Sequence, residues 1–260
     1  MANPMYRQIA EDLRQRIESG KLVAGGQLPT ELELRESYSA SRNTVRDAIK
    51  WLTNLGLVET KPGQGTFVVE KIDPFVTTLT GNVTGFGGGE GDVYRSEVQA
   101  GNRTFAVSSV QVEIQEATES VAYGLGVPRG SEVISRHERR FIDGHPWSMQ
   151  TSFYPTEFAD RGAERLRSAR DITEGTVKYL ADKLGIRQAG YRDWITVRAP
   201  NSNEADFFKI PPDGRVPVCE ISRTAFDGNQ KPMRLTTTVY PADRNQFIIN
   251  VGEVPDLKVQ

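Results

Sequence analysis

The sequence predicts an α+β protein in two domains, and three observations carry that prediction. Helical periodicity runs from Tyr6 to Leu55 and gives way to two short β-prone runs. A glycine-rich stretch then interrupts the patterning, and beyond it one helix-plus-hairpin unit occurs twice. At 260 residues and 37% apolar content, a small domain beside a larger one is the expected organisation.

In the first domain, Tyr6, Ile9, Ala10, Leu13 and Ile17 recur at steps of three and four, which places them on one face of a helix that Gly20 stops. Thr30 followed by Glu33 has the spacing of a capping box, in which hydroxyl and carboxylate each satisfy a free amide. A second helix therefore runs from about Glu31 to Tyr38. Ser39-Ala40-Ser41 is a turn, and Ser41 caps a third helix whose inner face is Val45, Ala48, Ile49, Leu52 and Leu55, ending at Gly56. Leu57-Val58-Glu59-Thr60 and Thr66-Phe67-Val68-Val69 are strands joined through Lys61-Pro62-Gly63-Gln64-Gly65. Three helices followed by a hairpin is the layout of a winged helix-turn-helix, assigned to residues 1–70.

Residues 71–91 end in Gly85-Phe86-Gly87-Gly88-Gly89-Glu90-Gly91, too poor in side chain to pack, and read as a flexible linker. The second domain, residues 92–260, holds the repeat. Leu125-Gly126-Val127-Pro128, a strand through Arg139, Asp143-Gly144, Pro146 and Tyr154-Pro155 recur in order as Phe208-Lys209-Ile210-Pro211, a strand through Arg223, Asp227-Gly228, Pro232 and Tyr240-Pro241. Thr118 and Asn201 stand where they cap the two helices. Two similar hairpins predict a largely antiparallel sheet, with a further helix from about Glu174 to Leu184 between them and a strand at Trp194-Ile195-Thr196-Val197-Arg198.

Composition narrows the function. No run approaches the ~20 apolar residues of a membrane span, and Met1-Ala2-Asn3-Pro4 lacks a signal-peptide character, so a soluble, cytoplasmic, nucleoid-associated protein with no membrane partner is expected. A single cysteine, Cys219, beside only His137 and His145 predicts no disulfide, no metal site and no cofactor. A net charge of −2 argues against indiscriminate coating of nucleic acid, so any DNA contact must be local. Locally the charge is present: across residues 41–61, Arg42, Arg46, Lys50 and Lys61 meet only Asp47 and Glu59. Reading DNA sequence requires donors that enter the major groove on a small element, and Ser41-Arg42-Asn43-Thr44-Val45-Arg46 begins a helix at a tight turn. With Val45 and Ile49 turned to the core, Arg42, Asn43 and Arg46 point away from it. An Arg-x-x-x-Arg pair alone fits any solvated helix face; the turn, cap and wing around it favour DNA.

The run Leu28-Pro29-Thr30-Glu31, Ser41-Arg42-Asn43-Thr44-Val45-Arg46-Asp47-Ala48, Leu52, Gly56-Leu57-Val58 and Gly63-Gln64-Gly65-Thr66-Phe67-Val68 closely resembles the GntR family of bacterial transcription regulators. The resemblance implies that Arg42, Thr44 and Arg46 contact DNA from the recognition helix while the Gly63-Gln64-Gly65 wing tip enters the neighbouring minor groove. Thr30, Ser41, Asn43, Lys50 and Lys61 complete the expected DNA-binding set. At the start of the second helix the family usually has Arg where this chain has Leu32, which implies a different operator preference.

The region from about Asp92 to Pro255 resembles the UTRA effector domain of the HutC subfamily, which shares its fold with chorismate lyase. Both Asp-Gly hairpins, Tyr240-Pro241-Ala242-Asp243-Arg244 and the helix near Glu174 carry the likeness. It implies a small-molecule effector, often acidic, held between sheet and helix amide end by Arg139, Arg140, Gln150, Thr176, Arg234 and Tyr240. Glu138 replaces the usual partner of the phosphate-binding Arg140, and Gln150 and Arg234 replace the acids of amino-sugar sensors, so an amino-sugar phosphate is not expected. Tyr154 and Tyr240 also read as core aromatics, Trp147 and Trp194 as packing residues, and Arg244-Asn245 as a turn or subunit contact.

The expected function is a repressor that binds an inverted-repeat DNA operator as a homodimer under effector control. Two alternatives stand beside it: a second domain that only dimerises, and a metabolite-converting enzyme. The enzyme reading lacks its chemistry, since there is no Gly-x-Ser-x-Gly elbow, no Gly-x-x-x-x-Gly-Lys loop and no His pair at metal spacing.

Overall fold

The computed structural model describes residues 4–69, 72–80, 91–251 and 253–255; residues 81–90 of the expected linker lie outside them. The chain divides into two units, Met1–Asp73 and Pro74–Gln260. No helix among the described residues is long and apolar enough to cross a membrane.

In the first unit α1 (Met5–Glu18) turns Ile9, Ala10 and Leu13 inward, against Leu34 of α2 (Glu31–Tyr38) and Val45, Ala48 and Leu52 of α3 (Arg42–Asn54). The capping box closes as its spacing requires: the Thr30 Oγ1 accepts from the Glu33 amide at 3.3 Å, and Glu33 Oε2 accepts from the Thr30 amide at 2.7 Å. Ser39 reverses the chain in the left-handed region at φ 49°, and Ser41 Oγ accepts from the Thr44 amide at 3.1 Å to start α3. The wing is β1 (Val58–Lys61) antiparallel to β2 (Gly65–Val68). Leu28 donates its amide to Thr66 at 2.7 Å and Val68 donates to Gly26 at 2.8 Å, which ties the wing back to the loop before α2.

Gly65 is held in a backbone conformation that L side chains rarely adopt. Its φ is 122°, and a Cβ there would stand 2.4 Å from Gln27 Nε2, which donates to the Gln64 carbonyl at 2.9 Å. Gly65→Ala is expected to cost about 1 kcal/mol or more and to displace the wing tip, read as a lower unfolding midpoint of this unit and weaker operator binding.

The second unit comprises β3 (Phe75–Thr78), α4 (Gly91–Ala100), β4 (Phe105–Val107), β5 (Gln111–Glu116), α5 (Glu119–Leu125), β6 (Glu132–Ile142), β7 (His145–Pro155), α6 (Thr156–Asp160), α7 (Thr176–Leu184), β8 (Gln188–Arg198), α8 (Ser202–Phe208), β9 (Val218–Asp227), β10 (Pro232–Pro241) and β11 (Asn245–Ile248). Strands β4 to β10 form one antiparallel sheet in the order β4-β6-β7-β10-β9-β8, with β5 also on β6. The two repeated hairpins, β6–β7 and β9–β10, lie side by side through β7 and β10. Thr118 caps α5 and Asn201 caps α8, the latter through a full capping box with Glu204. Helices α5 and α8 cover one face of the sheet, burying Val121, Leu125 and Phe208 against Val133, Leu235 and Val239. Helices α6 and α7 cover the other, with Phe158, Tyr179 and Leu180 against Ile134, Tyr154 and Ala225.

Part of the expected linker is ordered structure. Phe75–Thr78 alternate buried and half-buried side chains, pair in parallel with β11 and follow the β-preference of Phe, Val and Thr. The glycine at 91 opens α4 instead of ending a linker. Trp147 is buried as expected, but Trp194 is 58% exposed, because β8 is a sheet edge and its side chains there lack a covering helix.

Burial of α4 sets one acid apart. Removal from water pushes the Glu97 carboxyl up to about 7. Because the folded state favours the protonated form, this contribution is present below the ordinary 4.5 and is lost as pH rises through about 7. Glu97→Gln is therefore expected to lose less thermal stability than the parent between about pH 5 and 8, measured by melting across that range.

Candidate nucleic-acid interface and effector site

The solvent side of α3 carries Arg42, Asn43, Arg46 and Lys50, all exposed, with Arg42, Arg46 and Lys50 spaced by four residues, about one turn each. Two of them are not loose. Glu31, the first residue of α2, accepts from Arg46 Nε through Oε1 at 3.0 Å and from Arg42 Nε through Oε2 at 3.2 Å. One carboxylate thus engages both guanidinium groups through their Nε atoms, while the two arginine side chains stay 64% and 58% exposed. The hydrogen bond from Arg46, then that from Arg42, holds the Glu31 carboxyl below its ordinary range. The clamp therefore persists at neutral pH and loosens only in acid.

The other expected DNA residues sort by position. Ser41 and Thr44 share a hydroxyl contact at 2.8 Å within the α3 cap, and Thr30 caps α2, so these three first serve the helix starts. Lys61 lies over the Phe67 ring at 5.0 Å and pairs with Glu59 at 2.9 Å. Gly63 and Gln64 form the exposed wing tip, with Gly63 at φ 73°. Leu32 is 58% exposed, an apolar side chain next to Glu31 on this surface. Glu31 was not among the expected site residues; its place beside Thr30 at a helix start was visible, its pairing with α3 was not.

In the second unit, register decides which polar side chains meet. On the α7 side of the sheet Arg136, Ser152, Thr236 and Arg223 stand opposite one another across β6, β7, β10 and β9, all buried. The next row holds Glu138, Gln150 and Thr238, where Thr238 donates to Gln150 Oε1 at 3.4 Å. Arg140 opposes Ser148; its guanidinium lies over Tyr94 at 5.2 Å and 3.8 Å from Glu138. Arg234 donates to Gln188 Oε1 at 3.4 Å, and Tyr240 packs edge-on against Phe247. Thr176 is the first residue of α7, behind Gly175, which has no side chain to cap the helix start.

Arg140, Gln150, Arg234 and Tyr240 thus share one face of the sheet, but Arg139 does not join them. Strand alternation turns it to the opposite face, where it is exposed and stacks over Phe207 at 5.2 Å. Sequence reasoning also passed over Arg136 and Arg223. Arg223 holds Asp193 through two bonds of 2.7 Å, and Arg136 donates to the carbonyls of Arg165, Leu166, Ser168 and Arg170 at 2.8 to 3.2 Å. Asn245 closes a turn by donating to the Pro241 carbonyl at 2.9 Å, whereas Arg244 reaches the distant Pro146 carbonyl of β7 at 3.0 Å.

Comparison with known proteins matches residues 5–68 to the gntR family of bacterial regulatory proteins and residues 100–246 to the UTRA domain. An HTH-type transcriptional regulator of Rhizobium meliloti is 29% identical over 94% of this chain and 93% of its own length. The HTH-type transcriptional repressor NagR of Bacillus subtilis is 26% identical over 94% and 93%. In fold, the chain is similar to a GntR-family regulator at TM-score 0.63, with 24% identity over 97% of this chain and 99% of that one. It is also similar to PhnF of Mycobacterium smegmatis at TM-score 0.57, with 22% identity over 94% and 99%.

Proposed function

This chain belongs to the gntR family of bacterial regulatory proteins and carries a UTRA domain, and from that premise we propose that it represses transcription as an effector-controlled homodimer. It is a DNA-binding transcription regulator, as its family and its relatives are; the finer statements here are our reading. The observation that supports the reading best is the Glu31 clamp, which presents Arg42 and Arg46 together at the capped start of an exposed helix. Asn43, Thr44 and Lys50 extend that surface, and the Gly63-Gln64-Gly65 tip reaches a neighbouring groove. Two such heads read an inverted repeat when two copies are joined by a twofold axis.

The effector enters the α7 face of the UTRA sheet, at Arg140, Gln150, Arg234 and Tyr240 with the first turn of α7 at Thr176. Glu138 and Asp193 stand among the arginines there, so a ligand with hydroxyl or amide groups as well as an acid suits this face better than a bare phosphate. The test is to bind the protein to fragments of its own genome, sequence what is retained, and ask whether compounds made or consumed by the neighbouring gene products release it. Retention of no discrete sequence would overturn the reading.

A further inference from the structure

We propose that the cleft beside the β9–β10 turn is a second small-molecule site of the UTRA domain, suited to an organic acid with an apolar body. None of the residues assigned to the effector face lines it; Arg234 alone reaches one of its walls. Tyr240 lies at the opposite end of β10 from Pro232 and Met233, which border the cleft.

The local sequence shapes this end of the sheet. Gly185 ends α7 at φ 68°, and Ile186 and Arg187 lead into β8, whose pairing with β9 shifts between Gln188 and Gly190. On the other side of β9, the pairing of β10 shifts between Pro232 and Arg234. Irregularities of this kind bend a strand and sharpen its twist, and here two of them flank the same end of β9. Between this end of the sheet, the end of α6 and the turn out of α7 lies a cleft of about 480 Å³, within the range of about 300 to 1,000 Å³ common to ligand sites.

Its walls combine three kinds of surface. Phe158 and Met233 belong to the core, while Leu184, Ile186 and Pro232 are half-buried at the cleft, which gives it an apolar side. Arg161, Arg187 and Lys231 are exposed along it, with Asp227 as the one carboxylate among the lining residues. Asp227 is already engaged, because it accepts from the Asn229 and Lys231 amides at 2.9 Å each to close the turn. Lys231 reaches Glu157 at 3.5 Å, whereas Arg161 and Arg187 have no ion pair among the described residues.

The third surface is Gln188, which is 8% exposed and lines the cleft. Its Oε1 accepts from Arg234 at 3.4 Å, and its Nε2 has no hydrogen-bond partner. A guanidinium only donates, so the amide cannot turn over without losing that contact, and Nε2 stays the unmatched end. Buried donors without an acceptor are costly and few in native proteins, and an acceptor carried in by a ligand would remove the cost. A bare inorganic anion would answer the arginines and leave the apolar walls wet, while a hydrocarbon would leave both arginines and Gln188 unmet. A sugar would find no free carboxylate among the lining residues for its hydroxyls. A carboxylate on an apolar body meets all three surfaces, with its oxygens shared between the guanidinium groups and the Gln188 amide.

Ligand-observed NMR with the full chain tests this, using phenylpropanoate, indoleacetate, isovalerate and benzoate, with phenylpropanamide as the neutral mimic and inorganic phosphate as the bare anion. At least one acid is expected to bind, and the amide and phosphate about 10-fold more weakly or worse, since each lacks one part of the match. With that acid bound, hydrogen exchange should slow at residues 184–189 and 227–233 and stay as it was at residues 138–150. Arg161→Glu with Arg187→Glu, both exposed, is expected to weaken the acid about 10-fold or more at an unchanged melting temperature. Gln188→Leu removes the buried donor and is expected to weaken it as well; should that variant melt early, the arginine pair still decides. Binding that protects residues 138–150 instead places the acid on the effector face and overturns the second site. Equal binding of phenylpropanamide, indifference to the two glutamates, or no binding by any of the four acids overturns it too, and each of these leaves the effector-controlled repressor reading standing.

Discussion

Arg46→Ala is expected to lower affinity for the retained operator about 5- to 150-fold at fixed salt, the loss that follows if Arg46 reads a guanine through two donors. Fluorescence anisotropy on the operator and on unrelated DNA separates two origins. Loss confined to the operator marks base reading. A uniform loss, with the salt dependence reduced by about 0.9 units, marks a phosphate contact instead. The Glu31 clamp sharpens the expectation, because removing Arg46 leaves Glu31 to Arg42 alone. Glu31→Gln should weaken the hold on both arginines, raise affinity for unrelated DNA by removing a negative charge, and narrow the ratio between operator and background. If Arg46→Ala changes neither affinity nor salt dependence, α3 is not the reading helix.

The second large effect lies in the UTRA domain. Arg136→Ala is expected to destabilise it by about 3 kcal/mol or more, since hydrogen bonds from a charged donor are each worth roughly 1.5 to 3 kcal/mol and four buried or half-buried carbonyls lose theirs together. The carbonyls of Arg165, Leu166, Ser168 and Arg170 belong to the segment between α6 and α7, so this one guanidinium fastens that segment to the sheet. Thermal melting and hydrogen exchange check it: exchange should rise first at residues 165–170, while the amides of α1 and α3 keep their protection. Arg136→Lys should restore little, because a single ammonium cannot reach four carbonyls set around a planar fork. A melting temperature within a degree of the parent would show that the contacts do not stabilise the domain.

How much of this was legible depended on distance along the chain. Thr30 and Glu33, Ser41 and Thr44, and Asp143-Gly144 interact within a few residues, and their spacing announced two helix starts and a hairpin turn. The fold class and the repeated hairpins followed for the same reason. The parallel pairing of β3 with β11 joins segments some 170 residues apart, and no local signal marks a partner so remote; Phe75–Thr78 therefore read as linker. In the site, Arg136, Arg139 and Arg140 look alike in an alternating strand. Only the register, with a shift between Arg140 and Phe141, reveals that the first and last face α7 while Arg139 lies behind. Glu31 was hidden differently: its contacts depend on the angle between α2 and α3, which the turn at Ser39 sets.

The double capping at Thr30 and Ser41 has a consequence for descent. Because the hydroxyls of these two residues start α2 and α3, and the inward Val45, Ala48 and Leu52 hold α3 in the core, the outward positions 43 and 50 carry none of that packing, and Arg42 and Arg46 bind α2 only through Glu31 at the surface. If these outward side chains read DNA as proposed above, a lineage can exchange them and acquire a new set of promoters at the small cost of two surface ion pairs. Regulatory rewiring in such a protein needs only a handful of surface substitutions, and duplicated copies can part company in their targets long before they differ in shape.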